Sequence, residues 1–439
     1  MSAPVLARRL DLVVVGAGPA GLAAADAAAG VGRQVLVLDQ APRPGGQIWR
    51  HRPGDVLPVE ARTLLDRVRP PRVAVACGAS VVDAPWPGQL IVDFGGRLAA
   101  VETGAVVLAT GATERLLPFP GWTLPGVVGV GGMQALLKAG LPVAGSRIVI
   151  AGSGPLAWPV AAALHHEGAV VEEILEQADA LAVARFALSL IGRPATVARA
   201  LRYRAATLGI PYRTGGWVVR AEGTDRVTHA VLRVGGRERR IACDWLATAA
   251  GLVPRTELAQ LLGCTVHEER IVVDHRQATT VRGVWAAGEC TGVAGDRAAR
   301  VEGTIAGLAA MGVERIPAAL FRRRDRERRF GELLAQRFAP RRELRERVTA
   351  ETILCRCEDV RAGAIDPAWS ARQAKLWTRV GMGACQGAVC GLACRTLYGW
   401  DTAVPRPPLG QPPLGSWARA LGEATPPSAT PPSPAPPIP

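Results

Sequence analysis

The sequence predicts an α/β protein made of two similar parallel-sheet units and a small helical unit that carries cysteines. Three observations predict it. An apolar run, a G-x-G turn and an alanine-rich run begin at Leu12, and the same order begins again at Arg147. In each case a second apolar run follows and ends in a carboxylate, Asp39 and then Glu176. Five of the nine cysteines fall between Cys355 and Cys394.

Leu12–Val15 reads as a buried strand, because three of its four residues are β-branched valines. The turn Gly16-Ala17-Gly18-Pro19-Ala20-Gly21 follows at once and opens an alanine-rich helix. This is the spacing of a Rossmann-like dinucleotide site. Gly16 permits the tight turn, Gly18 lets backbone approach a pyrophosphate, and Gly21 lets helix and strand pack closely. The helix N-terminus then faces the phosphate charge. Asp39 ends the second strand where ribose hydroxyls need an acceptor, with Gln40 beside it. The loop holding Gly45, Gly46 and Gln47 is too polar and broken for a strand. Short alternating strands follow around 73–77, 80–83, 90–94 and 98–102, and the apolar run 105–109 opens into a small-residue turn at Thr110-Gly111.

Pro118–Gly126 reads as a rigid connector and a domain boundary. The repeat then carries Gly152 and Gly154, with Ala157 in place of the third glycine. Glu176 in the ribose-acceptor position favours NAD over NADP, since a 2′-phosphate would meet a carboxylate. Trp158-Pro159 at the helix start crowds a nicotinamide cofactor. Three readings of this second site stay open: NAD, another adenine nucleotide without a redox role, or an empty structural domain. Residues 246–254 close the repeat, and the strand ending at Ala287 delivers Glu289 directly after Gly288. A helix is expected through Gly303 and Thr304. The expected domains are 1–115 with 276–315, then 116–275, an arginine-rich, exposed helical bridge 316–350, and a cysteine unit 351–400. The tail 401–439, rich in Pro, Ala and Ser, is expected to be disordered.

The net charge of +14 is carried almost wholly by arginine, as Lys138 and Lys375 are the sole lysines. That bias, and the mixed signs of Arg322–Arg329, read as a solvated helix rather than a nucleic-acid surface; interleaved aromatics are absent. No membrane span is expected, because uncharged apolar runs stay short of about 18 residues. The chain starts close to its first strand and leaves no room for a signal peptide, so a cytoplasmic location is expected.

In a cytosolic chain, clustered cysteines suggest metal rather than disulfides. Cys355-x-Cys357 and Cys385-x4-Cys390 supply four thiolates, a set for a [2Fe–2S] cluster or structural zinc. The one-residue spacing disfavours zinc. Gly381, Gly383 and Gly387 suit backbone N–H groups turned toward sulfur. Cys394 reads as a core thiol, as do Cys77, Cys243, Cys264 and Cys290.

Gly16-x-Gly18-x-x-Gly21 with Asp39, Thr110-Gly111, Gly152-x-Gly154, Ala250-Gly251-x-x-Pro254 and Ala287-Gly288-Glu289 together resemble the flavoproteins with two dinucleotide-binding domains. That group includes thioredoxin reductase and ferredoxin reductases. The resemblance implies an FAD domain interrupted by the second domain, with Glu289 standing where Asp is usual. It narrows on Gly45-Gly46-Gln47-Ile-Trp49, Pro120–Val127 and Gly381–Cys390. These look like the FAD- and iron–sulfur-carrying subunits of opine oxidase, hydrogen cyanide synthase and hydroxyproline or proline dehydrogenase complexes. Such a subunit passes electrons; a partner flavoprotein oxidises the amine or imino acid, and a small iron–sulfur subunit often completes the assembly. The cysteine unit resembles the bacterioferritin-associated-ferredoxin module. The resemblance assigns FAD to the first glycine turn, Asp39, Gln40, Gly46, Gln47, Thr110, Gly111, Gly288, Glu289, Gly303 and Thr304. A helix starting near Gly303 is expected to aim its positive end at the flavin, with Glu302 just before it. Residues 129–134 hold no cysteine, so the dithiol relay of thioredoxin reductases is excluded. A self-sufficient NAD(P)H-dependent reductase and a structural zinc-bearing subunit remain the alternatives.

Overall fold

The structure, a computed structural model, describes residues 10–400 and 405–423. Both parallel sheets form. The first has five strands in the order Val284–Ala286, Val106–Leu108, Leu12–Val15, Val35–Asp39 and Val73–Cys77, all parallel. Its edge strand comes from the far side of the second unit, so the first domain is indeed interrupted and resumed. Alternate side chains serve two cores. Leu12, Val14, Val35 and Val37 pack under the helix Pro19–Gly30. Val13, Leu36 and Leu38 pack against an antiparallel meander, Ala79–Trp86, Gln89–Phe94 and Leu98–Glu102. With both faces covered, these strands must read as continuous apolar runs, and they do.

The second sheet is also five-stranded and parallel, in the order Tyr212–Thr214, Val170–Glu176, Arg147–Gly152, Trp245–Thr248 and Val127–Gly129. A meander over Gly216–Ala242 covers one face. The chain crosses between the sheets twice, and the crossings Ala112–Glu114 and Leu252–Pro254 pair antiparallel. Glu114 fastens this hinge: its carboxylate accepts from the Gly131 and Gly132 amides at 2.7 and 2.8 Å, at the start of the helix Val130–Lys138.

Three expectations need correction. The helix through Gly303 begins at Asp296 and runs to Ala310, so Gly303 and Thr304 lie in its middle and no helix start is there. Gly303 and Gly307 instead allow that helix to lie directly on the helix Pro19–Gly30, since a Cβ at either would run into the Ala20 or Ala24 carbonyl. Small residues at i and i+4 set this close crossing.

The bridge is helical over Ala318–Arg337, yet it is not merely solvated. Arg328 and Glu327 turn inward, Glu327 is 4% exposed, and a Cβ at Gly331 would meet Ala294 at 2.7 Å. The alternating charges concealed one face that reaches both domains. The tail is also ordered in part. Leu409 N donates to Val82 O at 2.6 Å, and the helix Leu414–Glu423 follows with Ser416 fully buried. A Pro-rich stretch cannot build its own core, but it lies along an existing sheet and packs Leu409 against it, while Leu414 stays exposed. The rest of the predicted tail, residues 401–404 and 424–439, is outside the described residues.

Residues 353–398 form a small unit in which Ile353–Cys355 pairs with Val360–Arg361 and the helices Ala371–Thr378 and Cys390–Tyr398 follow. Its core joins Leu354, Val360, Ile365, Ala374 and Val380 to Cys355, Cys390 and Cys394. Among the described residues no helix is long and apolar enough to cross a membrane.

Candidate flavin and thiol sites

The first glycine turn is built as a close-approach cradle. Gly16 has φ +111°, a conformation that favours glycine, and a Cβ there would strike the Ala109 carbonyl. A Cβ at Gly21 would strike the Gly16 carbonyl. Pro19 occupies the first helical turn, where its missing N–H costs nothing. Asp39 Oδ2 accepts from Ala17 N at 2.6 Å and Oδ1 from Ala41 N at 2.7 Å, which fixes the carboxylate at the mouth of the turn. A carboxylate has about four acceptor positions, so capacity remains for ribose hydroxyls. The loop after it folds over the turn: a Cβ on Gly46 would lie 2.8 Å from Gly18 Cα, and Gly45 N donates to Ala17 O at 2.8 Å. Gln40 is exposed, and exposed Gln47 accepts from Arg50 at 3.1 Å.

Opposite the turn lies the Gly288-Glu289 corner. Gly288 has φ +82°, and a Cβ on it would come within 2.7 Å of Ala20 Cβ. Glu302, 1% exposed, holds this corner in place. Its carboxylate accepts from Gly288 N at 2.9 Å and Thr291 Oγ1 at 3.1 Å and pairs with Arg328 Nε at 2.7 Å. Burial pushes the Glu302 carboxyl up, and the Arg328 guanidinium opposes that. Glu302 thus supports the corner from behind. Arg328 had no sequence signal, as it sits among arginines that face solvent. Glu289 itself is pushed up to about 7 by burial, then by the Asp296 and Glu302 carboxylates. An acidic group so crowded by like charge suits a hydrogen-bond donor or acceptor to a polyhydroxyl ligand. Thr110 Oγ1 donates to Arg255 O at 2.7 Å and Gly111 O accepts from Arg255 N, so this turn joins the two crossings. Thr304 Oγ1 donates to Arg300 O within its own helix.

The second turn is arranged differently. Glu176, 4% exposed, accepts from Gly154 N and Ala178 N at 2.8 Å each and is pushed up to about 7 by burial, against those amide bonds. Gly152 and Gly154 keep the turn, but residues 338–347 lie across it. Phe338 O accepts from Ser153 Oγ at 2.5 Å, and Gln177 links Ser153, Ala339 and Arg341.

The four predicted thiols gather in the small unit as two pairs. The Cys357 thiol lies beside that of Cys385, and the Cys355 thiol beside that of Cys390. Cys355 and Cys390 are buried, Cys385 is half-buried and Cys357 is exposed. Cys385 lies among three backbone amides, Val389, Gly387 and Ala388; burial pushes its thiol up, but these amides together with the neighbouring Cys357 thiol bring it down overall. A Cβ on Gly383 would collide with that of Cys357, so only glycine brings the two strands of this site together. Among the described residues no group of three or more His, Cys, Asp or Glu side chains closes on a single metal position. The donor set still fits an iron–sulfur cluster in kind: four thiols in two adjacent pairs, with amides aimed at sulfur.

Residues 10–319 match the family model described as pyridine nucleotide-disulphide oxidoreductase. An opine oxidase subunit of Agrobacterium tumefaciens (strain Ach5) is 34% identical over 429 residues, covering 87% of this chain and 84% of the relative. The hydrogen cyanide synthase subunit HcnB of Pseudomonas aeruginosa is 34% identical over 428 residues, covering 86% and 90%. Among solved structures, L-proline dehydrogenase from P. horikoshii superposes with a TM-score of 0.66 at 19% identity, over 92% of this chain and 78% of that one. That last likeness is one of fold.

Proposed function

Because the chain belongs to the pyridine nucleotide-disulphide oxidoreductase family, and so is a flavoprotein oxidoreductase, we propose that it is the FAD- and [2Fe–2S]-carrying electron-transfer subunit of a multisubunit dehydrogenase. The substrate class is an amine or imino acid, such as an opine, D-hydroxyproline, proline or glycine. Its partners are a flavoprotein that oxidises the amine, and with it a small iron–sulfur subunit. The work is cytoplasmic.

The observation that carries this reading is the meeting of two thiol pairs in a unit of the same chain that builds a flavin-type glycine cradle. Two relatives that span most of the chain are themselves named as subunits, which supports a partnered role. FAD supplies a two-electron acceptor that releases electrons singly, and an iron–sulfur cluster accepts them one at a time. The chain's own residues hold and tune. The Gly16–Gly21 turn and the helix N-terminus behind it receive the pyrophosphate, and Asp39 receives the ribose hydroxyls. Glu289, held by the Gly288 corner that Glu302 and Arg328 brace, faces the remaining hydroxyls. Cys355, Cys357, Cys385 and Cys390 bind iron, and the amides around Cys385 stabilise charge on its sulfur. Burial of Cys355 and Cys390 keeps water from half of the ligand set.

Metal and flavin analysis of the purified protein tests this. The expected result is about two irons per flavin, with Cys355→Ser and Cys390→Ser losing iron and keeping flavin. Zinc without iron, or iron retained in both variants, would overturn the reading.

A further inference from the structure

The second glycine turn has the shape that receives a pyrophosphate, and its mouth is already taken. Gly152 lies so close to Ala249 that a Cβ would come within 2.8 Å, and Gly154 has φ +86°. Two donors of the turn are spent elsewhere. Gly154 N–H goes to Glu176, Pro155 offers no N–H, and Ser153 Oγ–H goes to the Phe338 carbonyl. Phe338 Cβ and its ring carbon Cγ stand 3.6 Å from where a Gly154 Cβ would be. Gln177, 2% exposed, donates to Ala339 O at 2.9 Å and accepts from Arg341 N at 2.9 Å, using both ends of its amide on the intruding segment.

The nicotinamide end is closed as well. Above the C-terminal ends of Arg147–Gly152 and Trp245–Thr248, Leu344 and Arg347 roof the crevice and leave a cavity of about 20 Å³, room for about one water. Arg347 donates to Val218 O at 2.8 Å and Leu117 O at 2.9 Å and lies 4.6 Å over the Phe119 ring. Burial pushes its guanidinium down to about 9, a cost carried only because those carbonyls and that ring surround it. Leu344 is 4% exposed against Leu117 and Ala250. A ligand entering here must therefore strip Ser153, Gln177, Leu344 and Arg347 of their partners.

We infer that segment 338–347 is the resident occupant of the second nucleotide crevice. It seats where a dinucleotide's phosphates and nicotinamide would lie, and the chain draws no hydride from NADH or NADPH. The same seat anchors the stretch of chain that leads into the cysteine unit, which the Trp122 Nε1–H to Ile353 O bond at 2.5 Å then fixes to the second domain. The inference does not rest on the iron–sulfur reading; a chain without iron leaves it standing.

The test uses the flavin-loaded full-length protein under anaerobic conditions, titrated with NADH, NADPH and ADP-ribose at up to about 1 mM. The flavin absorbance should stay unbleached, calorimetry should show no saturable heat, and amide exchange across 338–347 should not change. Saturable binding of any of the three, or exchange that rises over 338–347 when one is added, overturns the inference. Gln177→Ala removes the clamp on Ala339 and Arg341. Exchange over 338–344 should then rise roughly tenfold or more, as for two lost hydrogen bonds, at unchanged flavin content. Unchanged protection in that variant also overturns it, and if the variant does not fold, the titration of the unaltered protein decides alone.

Discussion

The two glycine turns of this chain share one plan and diverge in how it is used. In the first, Asp39 accepts from Ala17 N; in the second, the longer Glu176 reaches one residue further and takes Gly154 N, the amide at the position of Gly18. Gln40 is exposed after the first acceptor, whereas Gln177, its counterpart, is buried and bound to residues 339 and 341. The third glycine is kept at Gly21 and replaced by Ala157 in the repeat. The first turn is braced from behind by a second helix and touched in front only by its own Gly45–Gly46 loop; the second is crossed in front by the distant segment that begins at Phe338. Retention of the G-x-G shape therefore records how strand and helix pack, and the fate of each donor records whether a ligand is served.

The contrast is broken most severely at Gly303. Gly303→Val pushes a side chain into the Ala20 carbonyl and should cost about 3 kcal/mol or more and empty the flavin site. Ala157→Val, at the position in the second unit that Gly21 holds in the first, should cost about 1 kcal/mol and leave flavin bound. Chemical unfolding with flavin absorbance checks both, and equal losses would erase the difference. Next comes Arg328→Ala, which leaves the Glu302 carboxylate buried without its cation. A loss of roughly 2–3 kcal/mol is expected, with weaker flavin retention, and Arg328→Lys should recover part of it.

The smallest effect is in pH dependence. Glu289 titrates at about 7 in the folded chain against an ordinary 4.5, so its ionised form is disfavoured by folding. No penalty exists below about pH 4.5; it grows as pH rises and is complete above about pH 7. Glu289→Gln should therefore raise the stability of flavin-free protein at pH 8 and change nothing at pH 4. Glu176 titrates over the same window, but Glu176→Gln turns an N–H₂ toward an amide donor at Gly154 or Ala178 and should gain less. Thermal melting across pH 4–8 compares the two variants.

Much of this was legible in the sequence because it is local. The strands, turns and carboxylates of both units follow from residues a few positions apart, and both parallel sheets formed with the expected apolar runs. The thiol pairs came together from two short motifs. What stayed hidden was long-range. Arg328 among solvated arginines, Gln177 bound to a segment more than 160 residues away, and Glu114 on the Gly131 and Gly132 amides are ordinary polar residues whose partners lie elsewhere in the chain. The helix start near Gly303 was misplaced because a glycine within a helix reads as a break when the helix that needs it is far off in sequence. The tail was misjudged because composition registers what a segment lacks and not the sheet it leans on.

Glu114 has a last consequence. A carboxylate clipped onto two neighbouring amides where the chain passes from one sheet to the other ties that crossing to the first turn of the helix Val130–Lys138. The strand that leaves the first unit and the first helix of the second thus share one half-buried fastening, which a single Glu114→Ala exchange removes.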